Sequence, residues 1–187
     1  MNVIVGCEFT GIVRDEFREK GHNAYSCDII PSEKDNKFHI QTDIRSLNFK
    51  RFDLGIFFPP CTHLCVSGAR WFKGKQKEQK ESLEFVKFLM DLPIPKIAIE
   101  NPIGVISTRI RKPDQIIQPY QFGHEETKST CLWLKNLPRL VPTQVMKTRN
   151  KNLTPSGQNK IGPSKDRWKI RSRTYLGIAK AMADQWV

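Results

Sequence analysis

The strongest constraint on this chain is a series of short strand-like runs, the clearest of them apolar, each closing on a chemically useful residue. NVIVG (2–6) leads into Cys7, a run at 23–27 closes on Asp28, and one at 38–41 is followed by Asp43. The run at 53–58 meets Pro59-Pro60-Cys61, and KIAIE (96–100) ends in Glu100-Asn101. Apolar runs of this length, bounded by turn residues, read as buried strands. Helical stretches lie between them. One spans 11–20, with Thr10 as N-cap and Gly21 as stop. Another spans 78–91, with Leu83, Val86, Leu89 and Met90 on one face. A further strand is expected at 130–134. A closing helix is expected at 174–186, with Leu176, Ala179, Met182, Ala183 and Trp186 as its apolar stripe. Alternating strands and helices predict βαβ units and a mostly parallel α/β sheet, in one domain over 1–187. Ligands of such sheets bind beyond the carboxyl ends of the strands. Cys7, Asp28, Asp43, Cys61 and Glu100 should therefore gather along one edge.

Charge narrows the class of partner. The 187 residues carry 31 Lys and Arg against 19 acids, a net +12. Between Pro138 and Arg173 there are ten basic residues and one acid, Asp166. This stretch is expected to be an irregular basic insertion ahead of the last helix. A second patch holds Arg70, Lys73, Lys75, Lys77 and Lys80. Such clustering favours a polyanion, with nucleic acid the natural choice. Nothing in the sequence reads as a membrane span or a secretion signal, so a cytosolic location and no membrane partner are expected. Cysteines at 7, 27, 61, 65 and 131 are odd in number and scattered, which suits reduced thiols.

The first turn, VGCEFTG, is neither a dinucleotide fingerprint nor a phosphate-binding loop, so a nicotinamide cofactor is disfavoured. Asp28, closing its strand, could accept ribose hydroxyls or serve as a turn residue. Cys61 has three readings. It could be a packed thiol. It could be a metal ligand within Cys61-x-His63-x-Cys65, but that triplet lacks a second pair and fits no standard zinc pattern, so no metal is expected. It could also be a nucleophile. The two prolines leave the strand abruptly and hold the thiol in a constrained turn. With Glu100 on a neighbouring strand end, a thiol and an acid suit addition to an electron-poor ring with protonation of a ring nitrogen.

Taken together, EFTG (8–11), CDI (27–29), TDIRSL (42–47), PPCTHLCVSG (59–68), IENP (99–102) and KSTCLWL (128–134) resemble the DNA cytosine-5 methyltransferase family, especially small versions encoded by bacteriophages. The pieces follow the family order across nearly the whole chain. The resemblance implies a Rossmann-like S-adenosylmethionine fold. Phe9, Thr10 and Gly11 would meet the adenine and methionine moieties. Asp28 and Ile29 would hold the ribose, Asp43 and Ile44 the adenine edge, and Pro60 would line the same site. Cys61 would attack C6 of a flipped cytosine, and Glu100, with Asn101 beside it, would engage N3. Ser67 and Gly68 would lie in a loop closing on DNA, with Arg70, Lys73, Lys147, Arg149 and Lys151 on phosphates.

The chain departs from the family in three places. One glycine, Gly11, follows Phe9 where a pair is usual. Lys128-Ser129-Thr130 stands for an arginine-bearing strand, which would give Lys128 the contact to the cytosine carbonyl. Only about 36 residues, 138–173, stand where a large target-recognition domain is usual. Short or relaxed sequence specificity follows. A catalytically weak binding protein and an RNA cytosine-5 methyltransferase using Cys65 remain the alternatives.

Overall fold

A computed structural model of the protein describes residues 1–34, 36–66, 74–147 and 164–187. The chain begins with β1 (Asn2–Gly6), α1 (Ile12–Glu19), β2 (Asn23–Asp28), β3 (His39–Gln41) and β4 (Leu54–Phe57). It continues through α2 (Gln76–Met90), β5 (Lys96–Pro102), α3 (Ile106–Arg109), β6 (Gln115–Ile117) and β7 (Thr130–Lys135). It closes with α4 (Arg167–Ser172) and α5 (Leu176–Gln185). The strands form one sheet in the order β3-β2-β1-β4-β5-β7-β6. The ladders joining β3, β2, β1, β4 and β5 are parallel, whereas β7 runs antiparallel to β5 and to β6. Strand order reverses between β1 and β4, which opens a crevice at their carboxyl ends.

Alternation along the strands builds a core on each face. Val3, Val5, Leu54 and Ile56 pack with Phe17 of α1 and Ala179 and Met182 of α5. Ile4, Phe57, Ile97 and Ile99 face the other way, onto Val86 and Leu89 of α2 and Ile106 of α3. Both faces are buried, which is why these strands read as continuous apolar runs.

Several boundaries and roles differ from the sequence reading. Gly11, not Thr10, takes the N-cap position of α1, with a left-handed φ of 68°. The helix end is satisfied instead by Glu8, whose carboxylate accepts from the Val13 amide at 2.7 Å and the Arg14 amide at 3.4 Å. The Thr10 hydroxyl accepts from the Ile12 amide at 3.4 Å. A carboxyl group facing two amides of a helix end outcompetes a hydroxyl facing one. Leu176 lies outside the expected stripe, with 48% of its surface exposed, while Ile178 and Ala181 are buried in its place. The segment 138–173 is not uniformly irregular. Leu140 joins the core, Gln115 clasps its backbone through both amide atoms, and α4 is helical. Residues 148–163 of that stretch lie outside the described residues. The three-residue β6 was not expected.

Candidate active site

The crevice between β1 and β4 holds a cleft of about 120 Å³ whose walls come from six parts of the chain, Ile178 and Met182 of α5 forming one of them. Cys7, Glu8 and Phe9 enter from the first turn, Pro59, Pro60 and Cys61 from the second, and Glu100 and Asn101 from β5. Lys128 and Thr130 come from the start of β7, and Arg171 to Tyr175 arrive from α4 and the link to α5.

The Cys61 turn is braced twice. Asn101, 1% exposed, donates its side-chain amide to the Pro59 carbonyl at 2.8 Å. This fixes the second turn against β5. Residues 64–66 then dock on the continuation of β5. The Val105 amide donates to the Leu64 carbonyl at 2.8 Å, and the Val66 amide to the Ile103 carbonyl at 3.1 Å. A Cβ on Gly104 would overlap the Leu64 carbonyl oxygen, so glycine is what allows this approach. Cys65 forms a bridge to Gly104 within the docked turn.

Cys61 lies exposed at the cleft mouth. Its thiol is nonetheless pushed up, chiefly by desolvation within the cleft, with Cys65 and Glu100 adding to the rise. Lys128 and Arg171 oppose it. Burial also raises the Glu100 carboxyl, against the pull of the Lys128 ammonium and the Thr130 hydroxyl. The Lys128 ammonium donates to the Arg171 carbonyl at 3.2 Å and stands 5.8 Å from the centre of the Tyr175 ring. The cleft thus joins a thiol, a carboxyl biased toward its protonated form and two cations.

The first turn forms the opposite wall. Phe9 is buried there, and its ring meets Trp168 of α4 at a centroid separation of 5.4 Å. The space a Cβ would take at Gly11 is filled by the Arg14 guanidinium. Arg14 is itself buried, pairs with Asp15 at 2.8 Å and donates to the Ser26 hydroxyl at 3.1 Å. Ser26 in turn bonds His39, whose other ring nitrogen meets the Ile30 carbonyl at 3.0 Å. This buried chain fixes the loop after β2. There Asp28 accepts from the Ile30 amide at 3.2 Å, with its carboxyl raised mainly by desolvation.

Asp28 and Asp43 follow their strands as expected but lie outside the walls of this cleft. Asp43 is exposed, caps a short 3₁₀ turn by accepting from the Arg45 amide at 2.9 Å, and pairs with that guanidinium at 3.5 Å. Ile29 is exposed, whereas Ile44 is buried in the core. Lys147 is exposed, away from the cleft walls. Ser67, Gly68, Arg70, Lys73, Arg149 and Lys151 lie outside the described residues. Among the described residues, no group of three or more His, Cys, Asp or Glu is placed to hold a metal. No described helix is long and apolar enough to cross a membrane.

Glu8 and Arg171 were missed as cleft residues, and Trp168 as the ring that meets Phe9. Glu8 had a signal, an acid four positions before the first residue of a helix. The two α4 residues had none, because they arrive from a segment with weak periodicity.

No family model matches the chain, and no curated protein matches it. Solved structures do. A candidate DNA modification methyltransferase encoded within an E. coli prophage is 15% identical, with a TM-score of 0.50 over 87% of this chain and 55% of that one. A methyltransferase of Entamoeba histolytica is 17% identical, with a TM-score of 0.55 over 78% of this chain and 57% of that one. The chain spans little more than half the length of either, and at these identities the likeness is one of fold. Sheet order, flanking helices and these neighbours agree: the protein has the α/β, Rossmann-like fold of methyltransferases.

Proposed function

We propose that this protein is an S-adenosylmethionine-dependent DNA cytosine-5 methyltransferase of short or relaxed sequence specificity. The observation that carries the reading is the meeting of Cys61 and Glu100 in one cleft at the sheet's switch point, with Asn101 bracing the Cys61 turn. In this reading Cys61 loses its proton to solvent and its sulfur bonds to C6 of an extruded cytosine. The C5–C6 π pair shifts into a C4–C5 double bond as the ring nitrogen N3 takes a proton from Glu100, and once C5 is substituted, loss of the C5 proton to solvent expels the Cys61 sulfur from C6. A Glu100 carboxyl raised by burial above its ordinary value suits a proton donor. Bound S-adenosylmethionine supplies an electrophilic methyl group.

The residues present suit that cofactor in kind. Phe9 offers an apolar ring and Asp28 an acceptor on an ordered loop, the features an adenosine needs. The volume of about 120 Å³ falls short of the roughly 300 Å³ at which small-molecule sites begin. Trp168 takes up the face of Phe9 and is half exposed, so it can withdraw at small cost. The net +12 and the Lys128–Arg171 pair at the cleft suit a polyanionic substrate. The RNA alternative would use the Cys65 thiol, which is reduced, and substrate choice is what separates it from this reading.

The test is methyl transfer from labelled S-adenosylmethionine to DNA and to RNA in parallel, followed by nucleoside analysis. Label in 5-methylcytosine from DNA is expected. Label in RNA alone, or on an exocyclic nitrogen, overturns the proposal.

A further inference from the structure

We propose that Arg171, delivered by α4 from the far end of the chain, is a positioning residue for Cys61 that favours its thiolate. The inference rests on Cys61 being the nucleophile.

Three contacts make the placement of Arg171 a built one. Its carbonyl receives the Lys128 ammonium at 3.2 Å. Two residues on, Arg173 is paired with Glu33 at 2.6 Å, which ties the segment to the loop after β2. Three residues before, the Trp168 ring rests on Phe9. Arg171 is thereby held as a wall of the cleft that contains Cys61 and Glu100. Among the described residues, no carboxylate pairs with its guanidinium.

The chemistry needs such a charge. A thiol attacks as the thiolate, so its proton must first pass to solvent. The groups acting on Cys61 are Cys65 from its own turn, Glu100 from β5, Lys128 from the approach to β7 and Arg171 from α4. Desolvation, Cys65 and Glu100 all oppose ionisation, which leaves the two cations to support it. A guanidinium stays charged at any working pH, and it stands beside Lys128, the larger of the two influences, whose ammonium is tied to the same segment through the Arg171 carbonyl.

The test measures thiol ionisation directly and needs no methyl transfer. The full chain is alkylated with iodoacetamide across pH 6–10, and Cys61 labelling is followed by peptide mass spectrometry. Arg171→Gln should move the Cys61 midpoint up by about half a pH unit, the effect of one partly exposed cation, or about threefold less thiolate below the midpoint. Arg171→Lys should restore most of the shift, and Arg167→Gln, an equal loss of charge on the same helix, should not move the curve. A superimposed Arg171→Gln curve, or an equal shift in Arg167→Gln, overturns the inference. If wild type methylates cytosine but Arg171→Gln leaves the thiol curve unmoved, this inference alone fails. If the thiol shift is present but wild type transfers no methyl group to cytosine, the proposed function fails and the electrostatic role of Arg171 stands.

Discussion

Replacing Asn101 with alanine should separate activity from stability. Two opposing effects set the stability change. The Pro59 carbonyl loses its 2.8 Å donor in a buried setting, which costs about 1–3 kcal/mol. Among the described residues the Asn101 Oδ1 is itself buried without a partner, so truncation returns part of that amount. A net loss of about 1 kcal/mol results, or about 2–4 °C in Tm for a chain of this size. Activity should fall much further. The lost bond is the one that fixes the turn carrying Cys61, and a displacement near 1 Å from attack geometry costs on the order of 10²-fold in rate. Thermal melting and steady-state methyl transfer to DNA, on the same preparation, measure both. A rate within about twofold of wild type refutes the bracing role, and a fall in Tm beyond about 10 °C would show that Asn101 supports the fold instead.

Gly104→Ala should destabilise by about 2 kcal/mol, read by denaturant unfolding, because the new Cβ meets the Leu64 carbonyl and forces the docked turn away. Burial raises the Glu8 carboxyl from 4.5 to about 7, so the folded state holds a proton that the unfolded state releases first. Stability that depends on this proton is full below 4.5 and is lost as pH rises through 7. At about 1.4 kcal/mol per unit, wild type should lose up to about 3 kcal/mol relative to Glu8→Gln between pH 4.5 and 7.5, and parallel stability curves would contradict this. Trp168→Ala should quicken S-adenosylmethionine association by roughly 2–10-fold in stopped flow, as an aromatic contact of about 0.5–1.5 kcal/mol no longer covers Phe9. Slower association would mean that Trp168 helps to hold the ligand.

The parallel part of the sheet was legible because both of its faces are buried, so NVIVG and KIAIE stand out as apolar runs. Cys61 and Glu100 were legible because prolines and strand ends mark where the backbone must leave the sheet. The antiparallel direction of β7 was not, since periodicity carries no sign. Nor was the replacement of Thr10 by Glu8 at the head of α1, which depends on a side chain reaching across a turn. The role of Gly11 in making room for Arg14 needed coordinates, because that guanidinium folds back three residues. Arg171 needed them most. It reaches the cleft only because Lys128 and Glu33, 43 and 140 residues away from their partners in sequence, hold its segment there.

The central claim is that Cys61 performs nucleophilic chemistry on a DNA cytosine. Wild type and Cys61→Ser, both shown to be folded by melting, are each incubated with labelled S-adenosylmethionine and DNA, and the 5-methylcytosine formed is counted. The account predicts label in 5-methylcytosine for wild type and none above background for Cys61→Ser, since a hydroxyl is a far weaker nucleophile than a thiolate. Transfer by Cys61→Ser near the wild-type rate would contradict it.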